Sequence, residues 1–399
     1  MRPHWSDAER DDPLSPRGPA PASEAVPPPL APGIESPTDG SMTALLRELV
    51  EAGGSDLHVT VGLPPRLRLD GELVNSRLSS RSLRPEETLA LAWSLLSDRQ
   101  RSAFEAANEL DFSFGIAGLA RFRASIYRQR GAVGMAIRQI PYEIRRFDSL
   151  GLPDHVADFA KRPNGLVLVT GSTGSGKSTT LAALIDRINH ERRVHILTIE
   201  DPIEYVHNHR QAMVNQREVG TDTRSFATAL KHALRQDPDV VLIGEMRDNE
   251  TIAAAITTAE TGHLVFATLH SNSAAESIDR MIDVFAPEQQ AQIRTQLSSV
   301  LEGIVTQQLL PKIGGGRVVA SEVLVVTPAV RALIRDDKTH QIYSAMQAGS
   351  KHGMQTMNQA LMGLYRKGWV TRDEALSRSE DAEELRRMIE LGPAPPEGR

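Results

Sequence analysis

LVLVTGSTGSGKSTTLAALIDRIN, residues 166–189, decides the fold. An apolar run of strand length enters a glycine-broken turn, and a helical pattern leaves it. Inside the turn, GSTGSGKS at 171–178 fits the pattern G-x-x-x-x-G-K-[ST] completely. Glycines let such a loop wrap closely, so that backbone N–H groups and the helix N-terminus point at phosphate oxygens. The expected nucleotide cradle is therefore Gly171, Ser172, Thr173, Gly174, Ser175, Gly176, Lys177, Ser178 and Thr179. Lys177 is placed to reach the β- and γ-phosphates, and the Ser178 hydroxyl to bind Mg²⁺.

Three further stretches lie downstream. DVVLIGEMRD at 239–248 reads as a buried strand that carries Glu245 to its C-terminal end, where ligands sit in open α/β sheets. A carboxylate there can polarise an attacking water, directly or through the magnesium shell. Gly244 stands where an aspartate is usual, so Ser178 is the expected main protein ligand of the metal, with waters filling the rest. HILTIEDPIEY at 195–205 ends in Glu200, Asp201 and Glu204. These carboxylates either share water and Mg²⁺ near the γ-phosphate, with Glu204 favoured, or cap a helix and pair with arginines. In TGHLVFATLHSN at 261–272 two histidines bracket a strand. His270, at the C-terminal end, can hydrogen-bond a phosphate oxygen and report whether the γ-phosphate is present, or can be a satisfied structural histidine. His263 and His270, seven residues apart without an obvious third ligand, make a poor zinc site.

Apolar runs alternate with helical patterns through this half of the chain, which implies a parallel sheet with helices on both faces. Residues 56–140 differ: LHVTV, RLRLDGEL with its Asp70-Gly71 turn, DFSFGI and ARFRASIYRQ are short strands, interrupted by a helical stretch around 85–106. The expected division is a disordered proline-rich tail over 1–40, a small α/β domain over 41–140 and a linker over 141–153. A P-loop core over 154–284, a mainly helical region over 285–391 with one strand at VVASEVLVV, and a frayed tail over 392–399 follow. Ten of the 24 prolines fall in the first 40 residues, which hold few large apolar side chains.

The 399 residues contain no cysteine, which rules out disulfides and cysteine zinc sites and points to a reducing compartment. A net charge of -6 and 4% aromatic residues leave no basic–aromatic stripe for a nucleic-acid motor. The stretch MRPHWSDAERDDPLSPRG lacks the apolar core of a signal peptide, and no apolar run approaches the length of a membrane helix. Membrane association is expected only through partners.

In order, GSTGSGKST, TIEDPIEY, GEMRDNETI and TGHLVFATLHSN resemble the Walker A motif, Asp box, atypical Walker B motif and His box of the secretion ATPase superfamily. SDLHVTVGLPPRLRLDGEL and RFRASIYRQRGAVGMAIRQIP are similar to the PAS-like domain of its pilus members. The likeness spans about residues 42–385. Extension and type II secretion ATPases typically carry a tetracysteine zinc module, absent here. AVRALIRDDKTHQIYSAMQAG at 329–349 and HGMQTMNQALMGLYRKGWVT resemble instead the C-terminal segment of PilT-type retraction ATPases, though Val330 and Ala332 depart from the common AIRNLI form. An accessory PilU-like retraction ATPase is the near alternative.

The resemblance implies a PAS-like α/β domain followed by a RecA-like P-loop domain, and an ATP- and Mg²⁺-dependent motor working as a homo-hexamer. Its implied partners are an inner-membrane pilus platform protein and a paralogous retraction ATPase, at the cytoplasmic side of the pilus base. It also implies that Arg123 and Arg138, from one subunit's N-terminal domain, touch the next subunit's nucleotide, while Glu245 and Glu204 orient water and His270 senses occupancy. Hydrolysis would then change the angle between the two domains.

Overall fold

Residues 41–69, 71–140 and 144–391 are described by the structure, a computed structural model. The tails expected over 1–40 and 392–399, and the first three residues of the expected linker, lie outside the described residues.

A side-chain cap opens the first helix. The Ser41 hydroxyl accepts the Ala44 N–H at 3.3 Å, starting α1 (Met42–Glu51), which buries Leu45, Leu46 and Leu49. Then follow β1 (Asp56–Val59), β2 (Arg66–Leu69), β3 (Glu72–Asn75), α2 (Pro85–Trp93), α3 (Asp98–Ala107), β4 (Glu109–Ile116), β5 (Ala120–Gln129) and β6 (Ala132–Ile140). The helical stretch expected over 85–106 is thus two helices. Ser97 and Gln100 form a capping box that restarts the chain as α3.

These six strands make one antiparallel sheet in the order β3-β2-β1-β6-β5-β4. Strand periodicity sorts β5 cleanly: Ala120, Phe122, Ala124 and Ile126 are buried in the core with α1, while Arg121 and Arg123 share the opposite face. Across the ladder Arg123 stands opposite Arg138 of β6.

The second unit contains α4 (Asp154–Ala157), β7 (Gly165–Thr170), α5 (Lys177–Glu191), β8 (His195–Glu200), β9 (Met213–Glu218), α6 (Phe226–Ala233) and β10 (Val240–Ile243). It continues with α7 (Asn249–Glu260), β11 (Leu264–Leu269), α8 (Ala274–Asp283), α9 (Pro287–Val300), β12 (Leu301–Pro311) and β13 (Arg317–Val325). Last come α10 (Pro328–Arg335), α11 (Ile342–Ala348), α12 (Met357–Arg366), α13 (Arg372–Arg378) and α14 (Ala382–Leu391).

Seven strands form its sheet, ordered β13-β12-β7-β11-β10-β8-β9, all parallel except the β12–β13 hairpin. Strands β7, β8, β10 and β11 are buried at every residue, as a sheet covered on both faces requires. Separate apolar cores fill the two faces, one under α7, α8 and α9, the other under α5.

The region beyond 284 differs from expectation. Its described residues hold the six helices α9–α14, but β12 runs directly beside the P-loop strand β7, so the second sheet continues through Val325. In LEGIVTQQLLP the apolar Leu301, Ile304, Val305, Leu309 and Leu310 recur at three- and four-residue spacing, which imitates a helix. Among the described residues no helix is long and apolar enough to cross a membrane.

Candidate nucleotide site

The C-terminal ends of β7, β8, β10 and β11 open on one cavity of about 580 Å³. That volume lies within the range of small-molecule sites. Thr173, Gly174, Gly176, Lys177, Ser178 and Thr179 line it, so six of the nine expected cradle residues face the cavity. The others hold the loop's shape. Gly171 has φ +135°, and a Cβ there would lie 2.4 Å from the Gln307 carbonyl oxygen of β12. Ser175 is buried beside it, and the Ser172 carbonyl accepts the Ser175 N–H at 3.2 Å.

Lys177 opens α5 and bends back over its own loop. Its ammonium donates to the Gly171 carbonyl at 2.8 Å and the Ser172 carbonyl at 3.1 Å. Burial lowers its pKa, and the nearby carboxylates of Glu245 and Glu204 only partly oppose this. The Thr179 hydroxyl meets the Tyr205 hydroxyl at 2.8 Å, tying the start of α5 to the segment after β8.

Glu245 lies two residues past β10. Its carboxylate is 2.7 Å from the Arg247 guanidinium and 3.2 Å from His270 Nε2. Burial pushes this carboxyl up, but the hydrogen bond and charge of Arg247, then the charges of His270 and Lys177, hold it below the ordinary range. It is therefore ionised at neutral pH. Burial pushes His270 down and the Lys177 charge adds to this, while its Nε2 lies 3.2 Å from the Glu245 carboxylate. Arg280 of α8 donates to the His270 carbonyl.

Glu200 behaves oppositely. It is buried, and burial raises its pKa despite hydrogen bonds from Thr198 at 2.6 Å and Gln216 at 3.1 Å. Glu204 is exposed and lines the cavity with Asp201. Of the three carboxylates in this stretch, Glu204 and Asp201 are solvated and Glu200 is held in the wall. His263 is not in the cavity lining; its Nδ1 lies 3.0 Å from both the Thr258 carbonyl and the Thr261 hydroxyl.

Arg123 and Arg138 also line the cavity, from the face of the first sheet. Two guanidinium groups directly opposed on neighbouring strands repel. Asp56 offsets part of that charge through a 2.8 Å ion pair with Arg138. The resemblance implied that these arginines serve the next subunit; here they face the P-loop of their own chain. The strand of Arg123 is seated against the edge of the second sheet by Arg121, whose guanidinium is 2.8 Å from Glu218 at the end of β9.

Sequence reasoning missed Arg247, Arg317, Tyr205 and Thr268, all in the lining. Arg247 was visible inside GEMRD as the nearest cation to Glu245. Arg317 follows a three-glycine turn, and nothing local in sequence announces that β13 delivers it to this cavity.

Among the described residues no group of three or more His, Cys, Asp or Glu side chains could hold a metal ion by itself. The site instead offers the Ser178 hydroxyl, with Glu245, Glu204 and Asp201 in the same cavity. This donor set suits Mg²⁺, which keeps several waters and relies on nucleotide phosphates for the rest of its shell.

The cavity can take a polyanion, with Lys177, Arg123, Arg138, Arg247 and Arg317 around it, and can present an ionised carboxylate to water at the phosphate end. Known proteins agree. The type II/IV secretion system protein family matches residues 137–315. The type IV pilus retraction ATPase PilT of Pseudomonas aeruginosa is 49% identical over 339 residues, 85% of this chain and 98% of that protein. The type IV pilus ATPase PilU of the same organism is 43% identical over 349 residues, 87% of this chain and 91% of that one. The crystal structure of the pilus retraction motor PilT with bound ADP matches 87% of this chain and 99% of its own, with 50% identity and a TM-score of 0.83. This chain is a nucleotide-binding ATPase, and it belongs to the PilT-type retraction ATPases of the secretion ATPase superfamily.

Proposed function

We propose that this chain is the motor subunit of a type IV pilus retraction machine, driving pilus disassembly and twitching motility by ATP hydrolysis. The observation that carries the reading is one cavity in which the P-loop, Glu245, Glu204 and the arginines of the first sheet meet. In this reading residues 41–140 form a PAS-like domain and the P-loop unit runs from 154 through β13, with the helical remainder to 391. Six copies form a ring at the cytoplasmic face of the inner membrane. The ring acts on a membrane-embedded platform protein, and a paralogous retraction ATPase can join it.

ATP lies with its phosphates along Gly171 to Thr179. Lys177 leaves the loop carbonyls for the β- and γ-phosphates. Ser178 would hold Mg²⁺, with Glu245 and Glu204 contributing through water, and the bound ion would supply neutralisation of phosphate charge. Glu245 accepts a hydrogen bond from the attacking water and aligns it with the γ-phosphorus, with Glu204 assisting from the facing wall. His270, bonded to the same carboxylate, exchanges that partner for a phosphate oxygen when the γ-phosphate is present. Arg123 and Arg138 offset charge that develops on the transferring group, an effect worth about 10³–10⁵ in rate where an arginine is supplied in this way. Because they belong to the other sheet, loss of the γ-phosphate releases one unit from the other, and that motion is the output.

The test uses a strain lacking its retraction ATPase. Expression of this chain should restore twitching, and Lys177→Ala should not. A wild-type chain that hydrolyses ATP yet leaves the strain non-twitching would refute the machine while sparing the chemistry.

A further inference from the structure

Glu218 ends β9 and is almost fully buried at 3% exposure. Its carboxylate gathers donors from three parts of the chain. The Ser113 hydroxyl of β4 lies 2.5 and 2.7 Å from its two oxygens, and the Arg121 guanidinium of β5 donates at 2.8 Å. Arg121 also donates to the Ser113 hydroxyl at 2.7 Å, closing a three-membered network. From the second unit itself, the Ile203 N–H donates at 3.1 Å and the Thr221 hydroxyl at 3.4 Å.

Two of these partners are neighbours of groups in the nucleotide cavity. Ser113 is the cross-strand partner of Arg123, and Arg121 is two residues before Arg123 on the same strand face. Ile203 directly precedes Glu204. A single carboxylate therefore fastens both lips of the cavity, the arginine-bearing sheet face and the carboxylate-bearing segment after β8. A buried carboxylate needs its hydrogen-bond partners, so loosening one lip leaves it short of donors at the other.

We propose that Glu218 and Arg121 are positioning residues that set Arg123 over the phosphates and hold Glu204 opposite it. The inference rests on the role given above to Arg123. It predicts that the pair acts on turnover through Arg123 and leaves ground-state nucleotide binding in place.

The experiment measures steady-state ATPase kcat and KM, and affinity for a fluorescent ADP analogue, on the full chain. The variants are Arg121→Ala, Arg121→Lys, Glu218→Gln, Arg123→Ala and the double Arg121→Ala/Arg123→Ala, with thermal melting of each. Arg121→Ala and Glu218→Gln should lower kcat about tenfold or more while KM and ADP affinity stay within about twofold. Arg121→Lys should recover part of the loss. In the Arg123→Ala background, Arg121→Ala should change kcat by less than about twofold, because residues that act as a unit are non-additive. A kcat loss that multiplies with that of Arg123→Ala would overturn the proposal, as would equal losses in kcat and ADP affinity. If Arg121→Ala melts early, Glu218→Gln decides, since it keeps both the shape and an acceptor. Wild-type kcat in Arg123→Ala removes the Arg123 reading and this one together. Impaired Arg123→Ala beside a normal Arg121→Ala and Glu218→Gln removes this one alone.

Discussion

The nucleotide cavity and the junction below α8 and α12 each hold a glutamate of the second unit, in opposite surroundings. Glu245 stands among Arg247, His270 and Lys177, and these cations hold its carboxyl down against burial. Glu322 of β13 is sealed in. The Ala274 N–H at the start of α8 donates to it at 2.7 Å, and the Met357 N–H at the start of α12 also donates. Burial still pushes its carboxyl up to about 7, and the neighbouring Glu380 adds to the rise. The two helix N-termini favour the anion at Glu322, yet burial outweighs them there, whereas at Glu245 the facing cations outweigh burial. The carboxylate built for chemistry is the one kept charged, and the one that joins helices takes up its proton near neutral pH.

Three exchanges to glutamine test that contrast. The largest effect belongs to Glu245→Gln: ATP should still bind, while turnover falls about 10²–10⁴-fold, the usual range for a positioned base. Equal kcat in variant and wild type would remove Glu245 from its role. The next is Glu322→Gln, read on stability. A carboxyl with a folded pKa of about 7 against 4.5 in the unfolded chain favours folding fully below pH 4.5, and loses that advantage as pH rises through 7. Wild type should lose on the order of 3–4 kcal/mol across this window, at about 1.36 kcal/mol per pH unit, and the variant should not. Melting curves at pH 5 and 8 that fall in parallel for both proteins would contradict the assignment. The smallest effect is expected at Glu200, in the cavity wall. Glutamine keeps an acceptor for Thr198 and Gln216, so kcat should remain within about threefold of wild type. A loss like that of Glu245→Gln would make Glu200 part of the chemistry.

Much of this was written locally. The strand–turn–helix of 166–189, the strands ending at Glu200, Ile243 and Leu269, and the antiparallel pair β2–β3 carry their own periodicity and punctuation. What escaped depended on distant partners. Strand β12 has apolar residues at helical spacing and becomes a strand only because β7 and β13 flank it. The split of residues 85–107 into α2 and α3 was legible in the Ser97 and Gln100 capping pair, but no glycine or proline separates the two helical patterns. Glu204 and Glu200 look interchangeable in TIEDPIEY, and only burial separates them. Arg317 and the Arg121–Glu218 pair join residues far apart in the chain, and no spacing rule reaches that far.

The bent Lys177 side chain has one more consequence. A loop whose own carbonyls can satisfy its ammonium competes with every phosphate for Lys177, because two carbonyl hydrogen bonds are exchanged for the grip on a triphosphate. The same competition speeds departure, since a spent nucleotide leaves behind a lysine with somewhere to go. For a machine that must cycle under load, grip and letting go are thereby set by one residue's choice between two sets of oxygens.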